Sequence, residues 1–342
     1  MRVRVLGAGI IGLACADELL VRGHEVEVVD PAPGLGASHA AAGMLSPSSE
    51  VWHGEEEILR LGMASLALWP GWAGRLGVPL TTTGTLLVGR DAGDLQDVER
   101  QVALLASHDV RGDLLSAAAV RRLEPTLSAR VAGGALLPGD HSVDPRAVVA
   151  ALLARVLVRA EADATTPDVT VVATGARLPA PWTHLVHGVR GEVVRARTDD
   201  PPVRTVRGWV HGVPVYVVPR PGGEVVIGAT SEEHDAPPVA TLGGVARLLE
   251  AARELVPGLD RAELIEVLAR DRPATADHLP LVGPTHDPAV VLAAGHFRHG
   301  VLLAPLTARL VADHLDCGAV HPALEPRRVL PVPSAPTRGA PA

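Results

Sequence analysis

Residues 3–12 read VRVLGAGIIG, a short apolar run that passes straight into three glycines, Gly7, Gly9 and Gly12. The glycines match G-x-G-x-x-G, and an Ala/Leu-rich stretch to about Arg22 follows, closed by Gly23. Each glycine has its own task in such a unit. Gly7 permits the tight turn, Gly9 lets the backbone approach a pyrophosphate, and Gly12 lets helix and strand pack closely. The helix beginning there offers free N–H groups and the positive end of its dipole to phosphates. Residues 25–30 alternate and end in Asp30, near the spacing at which an acid takes ribose hydroxyls. Strand, turn, helix and strand make a βαβ opening, so the chain is expected to bind a dinucleotide. The motif alone leaves NAD and FAD both open.

The remaining composition narrows the class. The chain has 342 residues, 47% hydrophobic and 20% charged, enough for two domains around a large core and too apolar for disorder. A net charge of −8 argues against nucleic acid or an anionic membrane as main partner. There is no Lys and no Asn; all 31 basic residues are Arg. Without lysine, Schiff-base, pyridoxal-phosphate and P-loop chemistry are excluded. Cys15 and Cys317 lie far apart with no metal-ligand or CxxC spacing, which points to a reducing compartment. No apolar signal region and no run of roughly 18 apolar residues is present. A soluble cytoplasmic protein is expected. His141, His211, His278, His296 and His299 form no metal pattern, and no metal is expected.

Along the chain, helices are expected around residues 59–75, 95–107, 146–158 and 242–255, and a closing helix over 301–315. Asp144-Pro145 is a helix start, with the acid as cap and Pro in the first turn. Residues 169–173 and 290–293 read as buried strands. Residues 185–231 read as antiparallel strands, with PRPGG (219–223) as a turn. The tail from Pro322 carries six prolines in 21 residues and reads as loose. The α/β pattern at both ends, with antiparallel strands and helices between, suggests a nucleotide-binding domain assembled from separated segments, with a second domain inserted.

Residues 37–47, ASHAAAGMLSP, and 295–305, GHFRHGVLLAP, are more specific than the glycines. With GAGIIGLA at the start, they resemble the FAD-dependent D-amino-acid oxidase superfamily, and within it the glycine oxidases of thiamine biosynthesis. Further segments agree in order: GVPLTTTGTLLV, HSVDPRAVVAALL, VVATGA, GVRGEVV, YVVPRPGGEVVIGAT and RPATADHLPLVG. The resemblance covers about residues 1–320. It implies an α/β fold with a Rossmann-type FAD-binding domain (1–80, 130–182 and 268–320) and an inserted α+β antiparallel-sheet substrate domain (81–129 and 183–267). It implies non-covalent FAD, a small amino-acid substrate, dioxygen as acceptor and a homotetramer. Carried over by position, Gly7, Gly9, Gly12, Ile10, Ile11, Asp30 and Pro31 serve the ADP half of FAD. Ala37, Ser38, Ala42, Gly43 and Met44 line the pyrophosphate and flavin ring. His296, Phe297, Arg298, His299, Gly300, Val301 and Leu302 wrap the pyrimidine end of the ring. Arg272 and Arg298 face the substrate and Tyr216 lies near its carboxylate.

The residue types suit these roles. A guanidinium is a planar two-pronged donor for a carboxylate and stays charged when partly desolvated. The N-terminus of a helix starting near Val301 favours an anionic reduced flavin. Small residues over 34–45 let backbone N–H groups come near a flat ring. Two departures from the family's pattern bear on the site: Ser231 would widen the pocket, and Asp271 precedes Arg272 where it can pair with it. Residues 155–171 form a short segment with little room for extra strands. Arg298 is open to two roles, substrate contact or brace for its own turn. The expected reaction is oxidation of glycine to glyoxylate, ammonia and hydrogen peroxide. A sarcosine or D-alanine oxidase, a dehydrogenase of the same superfamily and a non-catalytic FAD binder remain alternatives.

Overall fold

The computed structural model describes residues 1–330. Strand Arg2–Leu6 turns Val3 and Val5 into the core, Gly7 reverses the chain at a φ of 101°, and helix Ile10–Val21 follows. Gly23, at a φ of 85°, ends that helix in the left-handed conformation glycine adopts without strain. Glu25–Val29 then pairs in parallel with Arg2–Leu6.

The sheet so begun has six strands, in the order Leu281–Pro284, Val290–Ala294, Val169–Val172, Arg2–Leu6, Glu25–Val29 and Val158–Arg159. Its pairs are parallel except the edge pair of 281–284 with 290–294. Parallel strands need covering elements. Helices Ile10–Val21 and Gly300–Cys317 pack on each other, Glu56–Leu76 packs on the second and Pro145–Leu153 on the first. Val5, Leu13, Trp69, Val171, Val291 and Val311 form the shared core, all fully buried. Helix Pro145–Leu153 is capped by Asp144, which accepts from Arg146 N at 2.9 Å. It stops before the expected Val158 because that residue enters an extended strand. The short 155–171 segment thus still completes the sheet edge, and Asp30 N donates to Arg159 O at 2.9 Å.

The second sheet has eight strands: Glu263–Ala274, His187–Arg197, Glu224–Gly228, Val213–Pro219, Thr205–Val210, Thr85–Gly89, Gly133–Leu137 and Asp113–Ser116. It is mixed where an antiparallel sheet was expected, because Thr205–Val210 runs parallel to Thr85–Gly89. Strand Thr85–Gly89 is buried on both faces. Leu86 and Val88 join the core of helix Leu242–Leu255, and Leu87 joins that of helix Ala92–Ala106, the two-residue alternation of a strand. By sheet membership, Gly133–Leu137 and all of Glu263–Ala274 belong to this layer. The expected segment limits at 130 and 268 do not follow that division.

One bridge links the layers. Ala274, the last residue of the long strand, bridges to His296 in the turn after Val290–Ala294. A three-stranded sheet of Met44–Leu45, His141–Val143 and Leu80–Thr81 lies apart from the two larger ones. The first part of the tail is packed, contrary to expectation. Leu324 is buried, Val282 N donates to its carbonyl, and Arg328 bonds Asp277 and Leu279 O. The rest of the expected loose tail, 331–342, lies outside the described residues. Among those described, no helix is long and apolar enough to cross a membrane.

Candidate active site

A cavity of about 750 Å³ is lined from both large sheets. One end is built mainly of backbone. Gly7, Gly9, Ile10 and Ile11 line it, with Asp30, Pro31, Ala37 and Ser38. A Cβ on Gly7 would overlap the Ala173 carbonyl, and one on Gly12 would overlap the Gly7 carbonyl. Gly12 does not reach the cavity; it is buried beneath the turn and acts in packing alone. Asp30 Oδ2 accepts from Ala8 N at 2.7 Å and Oδ1 from Ala32 N at 2.8 Å. The carboxylate therefore braces the glycine turn and keeps lone pairs for hydroxyl donors. Ser38 Oγ accepts from Ile10 N at 3.0 Å, tying the small-residue segment to the turn.

That segment has few side chains of its own to anchor it, and distant arginines hold it. Arg270 Nε donates to Leu35 O and Arg146 Nε to His39 O, each at 3.0 Å, and Arg220 Nη2 donates to Ala42 O. Burial pushes the Arg220 guanidinium down to about 10, the desolvation cost of a cation in that position. Sequence reasoning singled out none of the three for this role. Ala42, Gly43 and Met44 continue the wall.

The opposite end is built of charge. Arg272, Tyr216 and Arg298 line it, and so do Glu50, Arg207 and Ser231. Arg272 Nη1 donates to Thr230 O at 3.1 Å and Arg190 O at 3.4 Å. Its guanidinium packs on Gly191, where a Cβ would stand 2.5 Å from both Nη atoms. Burial lowers its pKa. No carboxylate among the described residues pairs with it. The expected competition from Asp271 is absent, because neighbours on a strand point to opposite faces. Asp271 Oδ1 instead accepts from Arg190 Nε at 2.5 Å, and Arg190 is 3% exposed. Tyr216 packs its ring and hydroxyl over Gly228, where any Cβ would overlap them, and burial raises its pKa.

Arg298 is tied up by its neighbours: Nη2 donates to Glu55 Oε2 at 2.5 Å and to Glu50 O at 3.1 Å. Of the flanking turn, His296, Phe297, Gly300 and Val301 line the cavity, and helix Gly300–Cys317 begins there with no side-chain cap. The His296 imidazole bonds Thr307 Oγ1 at 2.9 Å, and burial pushes it to about 3, so it is neutral. His299 and Leu302 do not reach the wall. His299 is buried behind it, held well below the usual histidine range by burial. Leu302 lies in the core, and its carbonyl accepts from Ser65 Oγ and Trp69 Nε1.

Sequence reasoning missed Glu50 and Arg207. Arg207 Nη1 donates to Glu50 Oε1 at 3.1 Å across 157 residues of chain, and neither belongs to a local pattern. The segment bearing Glu50 is fixed from below: Ser48 N donates to the buried Asp140, and Gln101 Nε2 donates to Ser48 O and Val51 O.

The arrangement is that of a flavin-dependent oxidoreductase, and the comparisons agree. The sequence profile of the FAD dependent oxidoreductase family (DAO) spans residues 2–314; the chain belongs to this family. It is 34% identical to a putative thiamine biosynthesis oxidoreductase ThiO of Rhizobium etli, over 92% of this chain and 96% of that protein. It is 31% identical to a glycine oxidase of Geobacillus kaustophilus, over 92% of each. The crystal structure of a Geobacillus kaustophilus glycine oxidase superposes with a TM-score of 0.82 at 29% identity, covering 93% of this chain and 96% of that one. A bifunctional ThiO/ThiG protein of Trichormus variabilis is 32% identical over 91% of this chain, which spans about half (52%) of its length. The residues present fit FAD. A glycine turn without Cβ atoms suits the pyrophosphate, the strand-end carboxylate suits the ribose, and the small-residue wall suits a flat ring.

Proposed function

We propose that the chain oxidises the amine of a small α-amino acid, glycine foremost, supplying glycine imine for the thiazole of thiamine. Glycine, water and dioxygen give glyoxylate, ammonia and hydrogen peroxide. One observation carries this reading: Arg272 is a buried cation in the cavity wall whose hydrogen bonds, among the described residues, go to carbonyl oxygens and to no carboxylate. Such a cation is costly unless an anion joins it, and a substrate carboxylate is that anion. FAD, when bound, accepts two electrons from the substrate and passes them to dioxygen. The protein's own part is to orient. Arg272 grips the carboxylate, the Tyr216 hydroxyl donates to it, and His296 and His299 stay neutral in their buried positions. The names of the relatives, glycine oxidase and thiamine biosynthesis oxidoreductase, support the substrate and the pathway.

Ser231 on the wall favours a second reading, in which sarcosine or D-alanine is turned over as well. A cytoplasmic setting and a homotetramer belong to the same reading; both cysteines are free thiols, and light scattering measures the assembly. The test of function is a visible spectrum of the purified holoprotein with glycine in the absence of oxygen. Bleaching on glycine, then recovery with release of peroxide in air, is the expected result. Flavin bands that bleach only on sarcosine or D-alanine reassign the substrate, and bands that ignore all three overturn the oxidase.

A further inference from the structure

We propose that Glu50 recognises the ammonium group of the substrate and so separates amino acids from plain carboxylic acids; this rests on the reading of Arg272 as the carboxylate site. Among the described residues, Arg272 at the substrate end is paired with no acid, and Glu50 Oε2 receives no hydrogen bond. Glu50 lines the cavity and is 7% exposed. Its Oε1 accepts from Arg207 Nη1 at 3.1 Å. Among the described residues its Oε2 is faced by His299 Nδ1 at 3.8 Å, too far for a hydrogen bond.

His299 makes that gap informative. The imidazole is 4% exposed, its Nε2 accepts from Arg298 Nε at 3.3 Å, and its Nδ1 has no partner. A neutral ring whose Nε2 accepts carries its proton on Nδ1, so Arg207 alone hydrogen-bonds the carboxylate from the protein side while the His299 N–H faces Oε2 from beyond hydrogen-bond range. Lone pairs on Oε2 remain for donors arriving through the cavity, and an ammonium brings three.

The neighbouring strands put this carboxylate beside the carboxylate site. Arg207, which grips Glu50, is the cross-strand partner of Tyr216, and such partners share a face of the sheet. The other acid nearby, Glu55, is occupied by Arg298 at 2.5 Å and faced by His278. A zwitterion laid between Arg272 and Glu50 therefore completes both charges, whereas a plain carboxylate completes only one.

Glycine and acetate differ by the amino group and form the test pair. On the FAD-loaded enzyme, KM and kcat are measured for glycine, and the Kd of acetate is read from the change it makes in flavin absorption. Glu50→Gln is expected to raise KM for glycine at least tenfold, to change kcat less than threefold, and to leave acetate binding within twofold or tighter. Glu50→Asp, which keeps the charge one methylene further back, is expected to fall between. Should Glu50→Gln not retain flavin, Glu50→Asp decides alone, through a reduced preference for glycine over acetate. Equal weakening of both ligands makes Glu50 a structural brace and overturns the proposal, as does no change in either. A wild-type flavin that ignores glycine and acetate alike overturns the site reading and this proposal with it.

Discussion

The two ends of the cavity are made by opposite means. At the nucleotide end the wall is main chain: glycines and alanines with the turn closed against Ala173 and Gly7 carbonyls, and arginines set behind it. At the substrate end the wall is side chain: Arg272, Glu50, Arg207 and Tyr216, brought from strands and the short helix Pro47–Glu50, which are far apart in sequence. The first solution binds any ligand with the right backbone-facing phosphates. The second binds by where charge stands, and small changes there select among substrates. The ends should therefore fail separately, one in cofactor content and the other in KM.

The largest expected effect falls on the nucleotide end. Gly12→Ala forces a Cβ onto the Gly7 carbonyl oxygen, which is main chain of the turn itself. Overpacking of this kind costs about 3 kcal/mol, and the damage lands on the phosphate turn. The purified variant should lose most of its flavin absorbance and unfold at lower temperature. Arg272→Met should do the reverse. Flavin content should stay near one per chain, while KM for glycine rises at least a hundredfold, about 2.7 kcal/mol. A variant at position 272 that loses flavin, or one at position 12 that keeps it and loses only substrate, would break the division.

The platform under Glu50 offers a pH-dependent test. Asp140 is fully buried, and burial pushes its carboxyl from 3.8 up to about 6 although Ser48 bonds it. The folded protein thus holds this proton more tightly than the unfolded chain does. The resulting penalty is absent below about pH 3.8 and complete above about pH 6. At pH 7.5 Asp140→Asn should be more stable than wild type by up to about 3 kcal/mol, and the advantage should shrink as the pH falls toward 4.5. Thermal melts across that range measure it. A constant gap would assign the effect to packing instead.

What the sequence made legible follows the same division. The glycine turn, Asp30 and the 37–44 segment are contiguous, so their chemistry could be read as motifs. Arg272 and Tyr216 could be found because each sits in a recognisable segment. Glu50 and Arg207 could not, since their pairing across 157 residues exists only once the eight-stranded sheet is assembled. The same holds for Arg146, Arg220 and Arg270, whose role is to hold carbonyls of a remote loop. Sheet order was also hidden: nothing local says that Thr85–Gly89 runs parallel to Thr205–Val210.

Asp271 is where sequence adjacency misled most directly, and it gives the smallest expected effect on catalysis. Beside Arg272 in sequence, it reads as a rival for the substrate's clamp. On the strand it faces away and bonds Arg190, whose guanidinium also donates to Ala236 O and Pro237 O. Asp271→Ala should therefore leave KM for glycine within twofold, because the hydrogen bonds of Arg272 to Thr230 O and Arg190 O are untouched. Its cost should appear as stability, since Arg190 is 3% exposed and keeps two carbonyl partners but loses its acid. About 1–3 kcal/mol is the expected loss for a buried charged donor deprived of one partner. A melting temperature that falls while KM holds supports the opposite-face geometry. A KM that drops severalfold, as if a competitor had been removed, would place Asp271 on the substrate side of the strand and dissolve the separation between the two faces.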